Sequence, residues 1–155
     1  SVLASRISKL IRDGVAASLI TVIDFELGKF IEDFEVEANS SYIFEEEPGV
    51  SRLLGWELFP DGAVDIVSST ERDITVSFEV EVKAEFQAYF HFSVRDGIDR
   101  DYVRLGNGTF YKEKTFPVTI VATFWKDISE NLDPVDVQIE GRRPTIDFGD
   151  VEPEW

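Results

Sequence analysis

The chain contains no cysteine, no methionine and a single histidine, His91. Without cysteine there is no disulfide, no thiol nucleophile and no cysteine-bound zinc. One histidine falls short of the three or four side chains that zinc requires. A cysteine-free chain fits the cytoplasm. No apolar run approaches the ~20 residues of a membrane helix, so no membrane partner is expected. Phosphate-cradling glycine loops and the G-x-S-x-G elbow do not occur, and no cofactor is expected. The two matches to the N-glycosylation pattern, at Asn39 and Asn107, are expected to be coincidental. A complete translated protein starts with methionine. The chain therefore reads as a fragment, a processed chain or a domain, whose missing part carries the activity.

Positive charge is scarce. Fifteen lysines and arginines face 31 acids, for a net charge of −16. The N-terminus is basic, with Arg6, Lys9 and Arg12. Residues 35–70 are the opposite: Glu35, Glu37, Glu45, Glu46, Glu47, Glu57, Asp61 and Asp65 stand against Arg52 alone. Such a field repels phosphate backbones, so direct nucleic-acid binding by this segment is not expected. It attracts cationic protein surfaces, and its plainest role is solubility.

Apolar residues are plentiful. They make up 43% of the 155 residues and include 13 phenylalanines, enough for one domain with a real core. From Ile74 to Val94 they alternate without an error. Ile74, Val76, Phe78, Val80, Val82, Ala84, Phe86, Ala88, Phe90, Phe92 and Val94 share one parity, while Glu79, Glu81, Lys83, Glu85, Gln87, Tyr89 and His91 share the other. Period two means a β-strand with one oily face. A slip of one residue would bury the charges together, so the pairing is tightly specified. Twenty-one residues span about 70 Å, against about 40 Å for a compact domain of this length. The strand is therefore expected to bend, bulge or break, with small Ala84 and Ala88 where the sheet curls.

Helical spacing of Leu3, Ile7, Leu10 and Ile11, a break at Gly14, and Val15, Leu19, Val22, Ile23, Phe30, Ile31 and Phe34 predict a helical segment over residues 1–38. A competing reading makes residues 18–27 a short strand. Residues 39–62, with Pro48-Gly49, read as an acidic connection. Residues 63–155 read as an antiparallel β domain. In it Ala63–Val67 is a short strand, Gly106-Asn107-Gly108 turns a hairpin, and Phe116, Val118, Ile120, Ala122 and Phe124 form a second major strand. Pro117 marks an edge or a start of that strand. Val135, Val137 and Ile139 point inward from a last strand, and Ile146, Phe148 and Trp155 anchor the tail. The expected fold is α+β: N-terminal helices beside a strongly curved antiparallel sheet, sandwich- or half-barrel-like, in one compact unit.

Residues with chemical potential are few. His91 could serve as a general base, but no Ser or Asp partner can be assigned to it, and it reads first as a sheet-face residue. Asp96, Asp99 and Asp101 crowd one loop, as hard cations prefer. Their spacing is not that of an EF-hand, and Arg95, Arg100 and Arg104 neutralise them, so a solvated turn is expected. Glu45, Glu46 and Glu47 offer charge to a partner. On the outer parity, Gln87, Tyr89, His91, Val121 and Trp125 make a half-apolar patch. It is expected to be covered by a partner or, more economically, by the N-terminal helices. The candidate interaction residues are thus Glu45, Glu46, Glu47, Tyr89, His91 and Trp125, and no catalytic or metal-binding residue is assigned.

The order of these features, a helical pair, an acidic connection, ITVSFEVEVKAEF, TFPVTIVATF and an acidic tail, resembles a known arrangement. It is similar, over about residues 60–150, to the β-rich C-terminal region that follows the nuclease-like domain in bacterial PIN-domain-like proteins. The resemblance implies an accessory domain attached to a metal-dependent ribonuclease-type fold. Asp24 in TVIDFE looks like the acid on the first strand of such a nuclease. The later acids do not follow on alternating strands and helices, so no catalytic role passes to Asp24. The expected function is a non-catalytic accessory or interaction domain of a larger bacterial protein, joined to an upstream domain or a protein partner. The alternative is an acidic immunity- or inhibitor-type protein that binds a basic partner.

Overall fold

A computed structural model describes residues 2–95, 102–127 and 132–154. The loop holding Asp96, Asp99 and Asp101 and the anchor Trp155 lie outside them. The fold is α+β, in the order α1 (Val2–Arg12), α2 (Ala17–Glu32), β1 (Glu35–Asn39), β2 (Ile43–Leu58), β3 (Asp65–Ser69), β4 (Asp73–Arg95), β5 (Tyr102–Trp125), β6 (Asp136–Glu140) and β7 (Thr145–Asp150). The chain divides into two compact units rather than the single one expected.

The first unit comprises Ser1–Phe30, Leu53–Lys83 and Thr115–Arg142. Its helices form where apolar residues recur at threes and fours. Ala4, Ile7 and Ile11 of α1 are buried, as are Leu19, Ile23 and Leu27 of α2, so the helical reading of residues 18–27 holds. Helix α1 stops at Gly14, whose φ of 70° is unstrained only without a Cβ. The Gly14 N–H bonds the Ile11 carbonyl and the Val15 N–H bonds that of Leu10, a Schellman cap that satisfies the last carbonyls. The helices pack on Ile74, Val76, Phe78, Val80 and Val82 of β4 and on Val118, Ile120, Ala122 and Phe124 of β5. One terminal nitrogen of Arg12 reaches the carbonyls of Phe59, Pro60 and Gly62 at 3.0, 3.4 and 3.2 Å, tying α1 to the turn after β2. Strand β6 runs antiparallel to β5 from Thr119↔Glu140 to Thr123↔Asp136. Pro117 lies beyond that register, where its missing N–H costs β6 nothing. Of the last strand's residues, Val137 is buried and Ile139 packs on the core, while Val135 precedes β6 and is exposed.

The second unit comprises Ile31–Arg52, Ala84–Lys114 and Arg143–Trp155. Ala88, Phe90 and Phe92 of β4 pack against Phe44, Phe110, Phe148, Val36, Ala38 and Val151. Several of these belong to β1 and β7, which pair in parallel. Phe90 sits at the centre, with ring centroids of Phe44, Phe110 and Phe148 at 5.6, 5.3 and 6.0 Å. Ile146, expected as an anchor of the tail, is fully buried.

Four expectations change. Residues 39–62 are not a connection, because most of them form β2. No period-two signal marked this strand, because it ends the strand order β2-β4-β5-β6 and Glu45, Glu46, Glu47 and Pro48 are all exposed. Charge and proline are what an edge strand uses to avoid pairing with strangers. The helical segment likewise ends at Glu32 rather than at residue 38, since β1 follows. Gly106-Asn107-Gly108 is not a hairpin turn either: β5 runs through it. Thr75 meets Thr123, Gln87 meets Tyr111 and His91 meets Asn107, and the two numbers of each pair add to the same total. That is the mark of antiparallel strands in unbroken register. It sets Gly108 opposite Phe90 and Gly106 opposite Phe92; Gly108 yields space to the Phe110 ring, while Gly106 lies beside Pro153 and Glu154. The long strand, finally, is not broken: it runs from Asp73 to Arg95 and serves two cores. Its residues 73–83 belong to the first unit and 84–95 to the second.

Candidate functional site

Every even position of β4 from Ile74 to Phe92 is buried, at 4% exposure or less. The odd positions form the outer face. In the second unit that face carries an organised polar and aromatic set. Gln87 is its hub. Its Nε2 donates to the Tyr111 hydroxyl at 3.0 Å, and its Oε1 accepts from the Tyr89 hydroxyl at 3.2 Å and the Val50 N–H at 3.4 Å. The Tyr89 ring lies against Gly49, where a Cβ would meet Tyr89 Cε2 and the Gln87 carbonyl at 3.0 Å. One side chain thus orients two tyrosines across β2, β4 and β5, and Tyr111 remains 64% exposed. Beside it, Arg52 and Glu85 pair at 3.5 Å.

Two residues further along β4, Asn107 Oδ1 lies 2.8 Å from His91 Nδ1 and 3.2 Å from an Arg104 terminal nitrogen. An amide oxygen only accepts, so both neighbours donate to it and the neutral His91 ring carries its proton on Nδ1. Nε2 is then the ring's acceptor. The 3.2 Å approach of Arg104 to the same ring nitrogen brings two donors together and is no bond. A groove of about 630 Å³ opens there, lined by Ile43, Phe44, Glu45, His91, Phe92, Ser93, Tyr102 and Arg104.

Of the residues nominated from sequence, the structure brings Glu45 and His91 into this groove and sets Tyr89 on the same face. Glu46 and Glu47 are exposed on β2 and do not line it. Trp125 belongs to the first unit, at the outer end of β5 and 55% exposed. Within the first unit the N-terminal helices pack on the opposite parity, because that parity offers a continuous apolar surface, and they leave Trp125 exposed. Gln87, Arg104, Asn107, Tyr102 and Tyr111 were not nominated from sequence, although Gln87 was placed on the outer parity and Arg104 was named as a countercharge. The β4–β5 register would have found three of them, since it sets Tyr111 opposite Gln87 and Asn107 opposite His91.

Among the described residues, no three His, Asp or Glu side chains gather as a metal-ion site, and no helix is long and apolar enough to cross a membrane. Asp24 accepts a 2.6 Å hydrogen bond from Trp56 Nε1, so it holds a helix to β2. Compared with protein-family models, curated proteins and solved structures, the chain matches none.

Proposed function

We propose that this chain is a non-catalytic accessory or interaction domain of a larger bacterial protein of the cytoplasm. It works by docking a protein domain, not nucleic acid, on the outer face of its second unit. The observation that supports this reading is the Gln87 hub. Solvent-facing tyrosines usually rotate, whereas Tyr89 and Tyr111 are held by hydrogen bonds and by contact with Gly49. Fixed tyrosines bind at low entropic cost, and Tyr and Arg dominate the energetic centres of interfaces. The resemblance to accessory regions of PIN-domain-like proteins makes an adjoining nuclease-type domain the partner to test first.

Hydrogen exchange of the complete gene product, compared with this chain alone, is the test. Added protection of residues 85–91 and 107–113 is expected. Equal exchange in the two would refute the docking face, and a gene that encodes this segment alone would refute the accessory role. The alternative, an acidic inhibitor of a basic protein, is favoured by Glu45, Glu46 and Glu47, which are exposed in succession. Its complex would form much more slowly at high salt, whereas docking on the tyrosine face would be nearly indifferent to salt.

A further inference from the structure

The groove beside His91 carries an arrangement that the docking face does not use. Glu45 enters it from β2 and Arg104 from β5, with β4 between them. Two strand spacings put about 10 Å between their backbones. Neither side chain forms an ion pair with a described residue, although both line one groove. Arg104 is restrained by Asn107, which also holds His91. Ser93 and His91 add polar side chains to the lining, and Ile43, Phe44 and Tyr102 supply apolar and aromatic wall.

We propose that this groove binds a small zwitterion, an α-amino acid with an aromatic or bulky apolar side chain. Its carboxylate meets Arg104, its ammonium group meets Glu45, and its side chain lies against Tyr102 and Ile43. A volume of about 630 Å³ falls in the range of small-molecule sites. A simple anion would leave Glu45 facing it across the groove, and a simple cation would leave Arg104 so. Only a ligand that carries both charges answers both walls. Tyr102 is 66% exposed and Ile43 47%, so the site is open and the expected Kd is on the order of 1 mM.

The experiment is a chemical-shift titration of the chain with L-phenylalanine, phenethylamine and N-acetyl-L-phenylalanine. L-Phenylalanine should move the signals of His91, Ser93 and Tyr102. Each analogue, lacking one charge, should bind about tenfold more weakly. Glu45→Gln should weaken L-phenylalanine and leave the acetylated form unchanged, and Arg104→Gln should weaken both. Glu45 and Arg104 are exposed, and unchanged signals from the buried cores will show that both variants are folded. Three results would each overturn the proposal. They are no movement at the groove, acetylated ligand bound as tightly as the free amino acid (a carboxylate or peptide C-terminus site), and phenethylamine bound as tightly (a cation site).

Discussion

Replacing Gly108 by alanine tests whether the phenylalanine core of the second unit is as tight as its geometry indicates. A Cβ at Gly108 would lie 2.6 Å from Phe110 Cε2 and 3.2 Å from Cζ. The Phe110 ring has little room to yield. It stands edge-on to Phe90 at 5.3 Å, and fully buried Phe90 is held in turn by Phe44 and Phe148. Overpacking of this kind costs about 1–3 kcal/mol, and the stiffer unfolded chain returns about 0.4–1 kcal/mol, so the net loss is roughly 1–2 kcal/mol. For a chain of this length that lowers Tm by about 3–7 °C. Urea unfolding followed by near-UV circular dichroism of tyrosine is the assay, because Tyr42, Tyr89, Tyr102 and Tyr111 all lie in the second unit. The control is Phe110→Ala. Once the ring is gone, Gly108→Ala should become neutral or stabilising by about 0.4–1 kcal/mol, a coupling of ~2 kcal/mol between the two sites. A Gly108→Ala protein more stable than its parent would refute the packing argument outright.

Other outcomes follow from the same reasoning. Phe90→Ala removes the ring around which the second core is arranged and should cost about 3–5 kcal/mol, read from the urea midpoint at unchanged slope. Arg12→Ala releases the turn that carries the carbonyls of Phe59, Pro60 and Gly62. It should cost about 1–2 kcal/mol by thermal unfolding, and Arg12→Lys should recover less than half of that because an ammonium lacks the fork. Changing Glu45, Glu46 and Glu47 to serine together with Pro48→Val unguards β2. Sedimentation velocity should then show larger species than the parent forms; an unchanged distribution would mean that these residues do not protect the edge.

How much of this could be read beforehand depended on burial. Strand β4 was legible because each even residue from Ile74 to Phe92 enters a core and each odd one does not, although Val94, of the same parity, is exposed. The end of α1 was legible because Gly14 interrupts the phase of the apolar residues. Strand β2 was not: Glu45 to Pro48 are wet on both faces, so they show no alternation. Gly106 and Gly108 misled because a glycine that permits a turn looks, in sequence, like one that makes room for a ring, as Gly108 does for Phe110, or one that takes a positive φ inside a strand, as Gly106 does. That error also concealed most of the site. Tyr89 and His91 could be nominated from parity, but the tie of His91 to Asn107 and of Gln87 to Tyr111 exists only if β5 continues past the glycines. Arg104 was noticed as a countercharge for the aspartates that follow β4. Its role beside His91 depends on that same continuation.

The strand common to both cores has a consequence for how such a chain can vary. Side-chain direction along it reverses at every step, so one residue added between Lys83 and Ala84 would expel Phe86, Phe90 and Phe92 from the second interior and draw Glu85 and Gln87 toward it. Two added residues would keep every ring on its own side. Length in this part of the molecule can therefore grow or shrink by an odd number only where a bulge absorbs the extra residue, a restriction that the loops of the chain do not share.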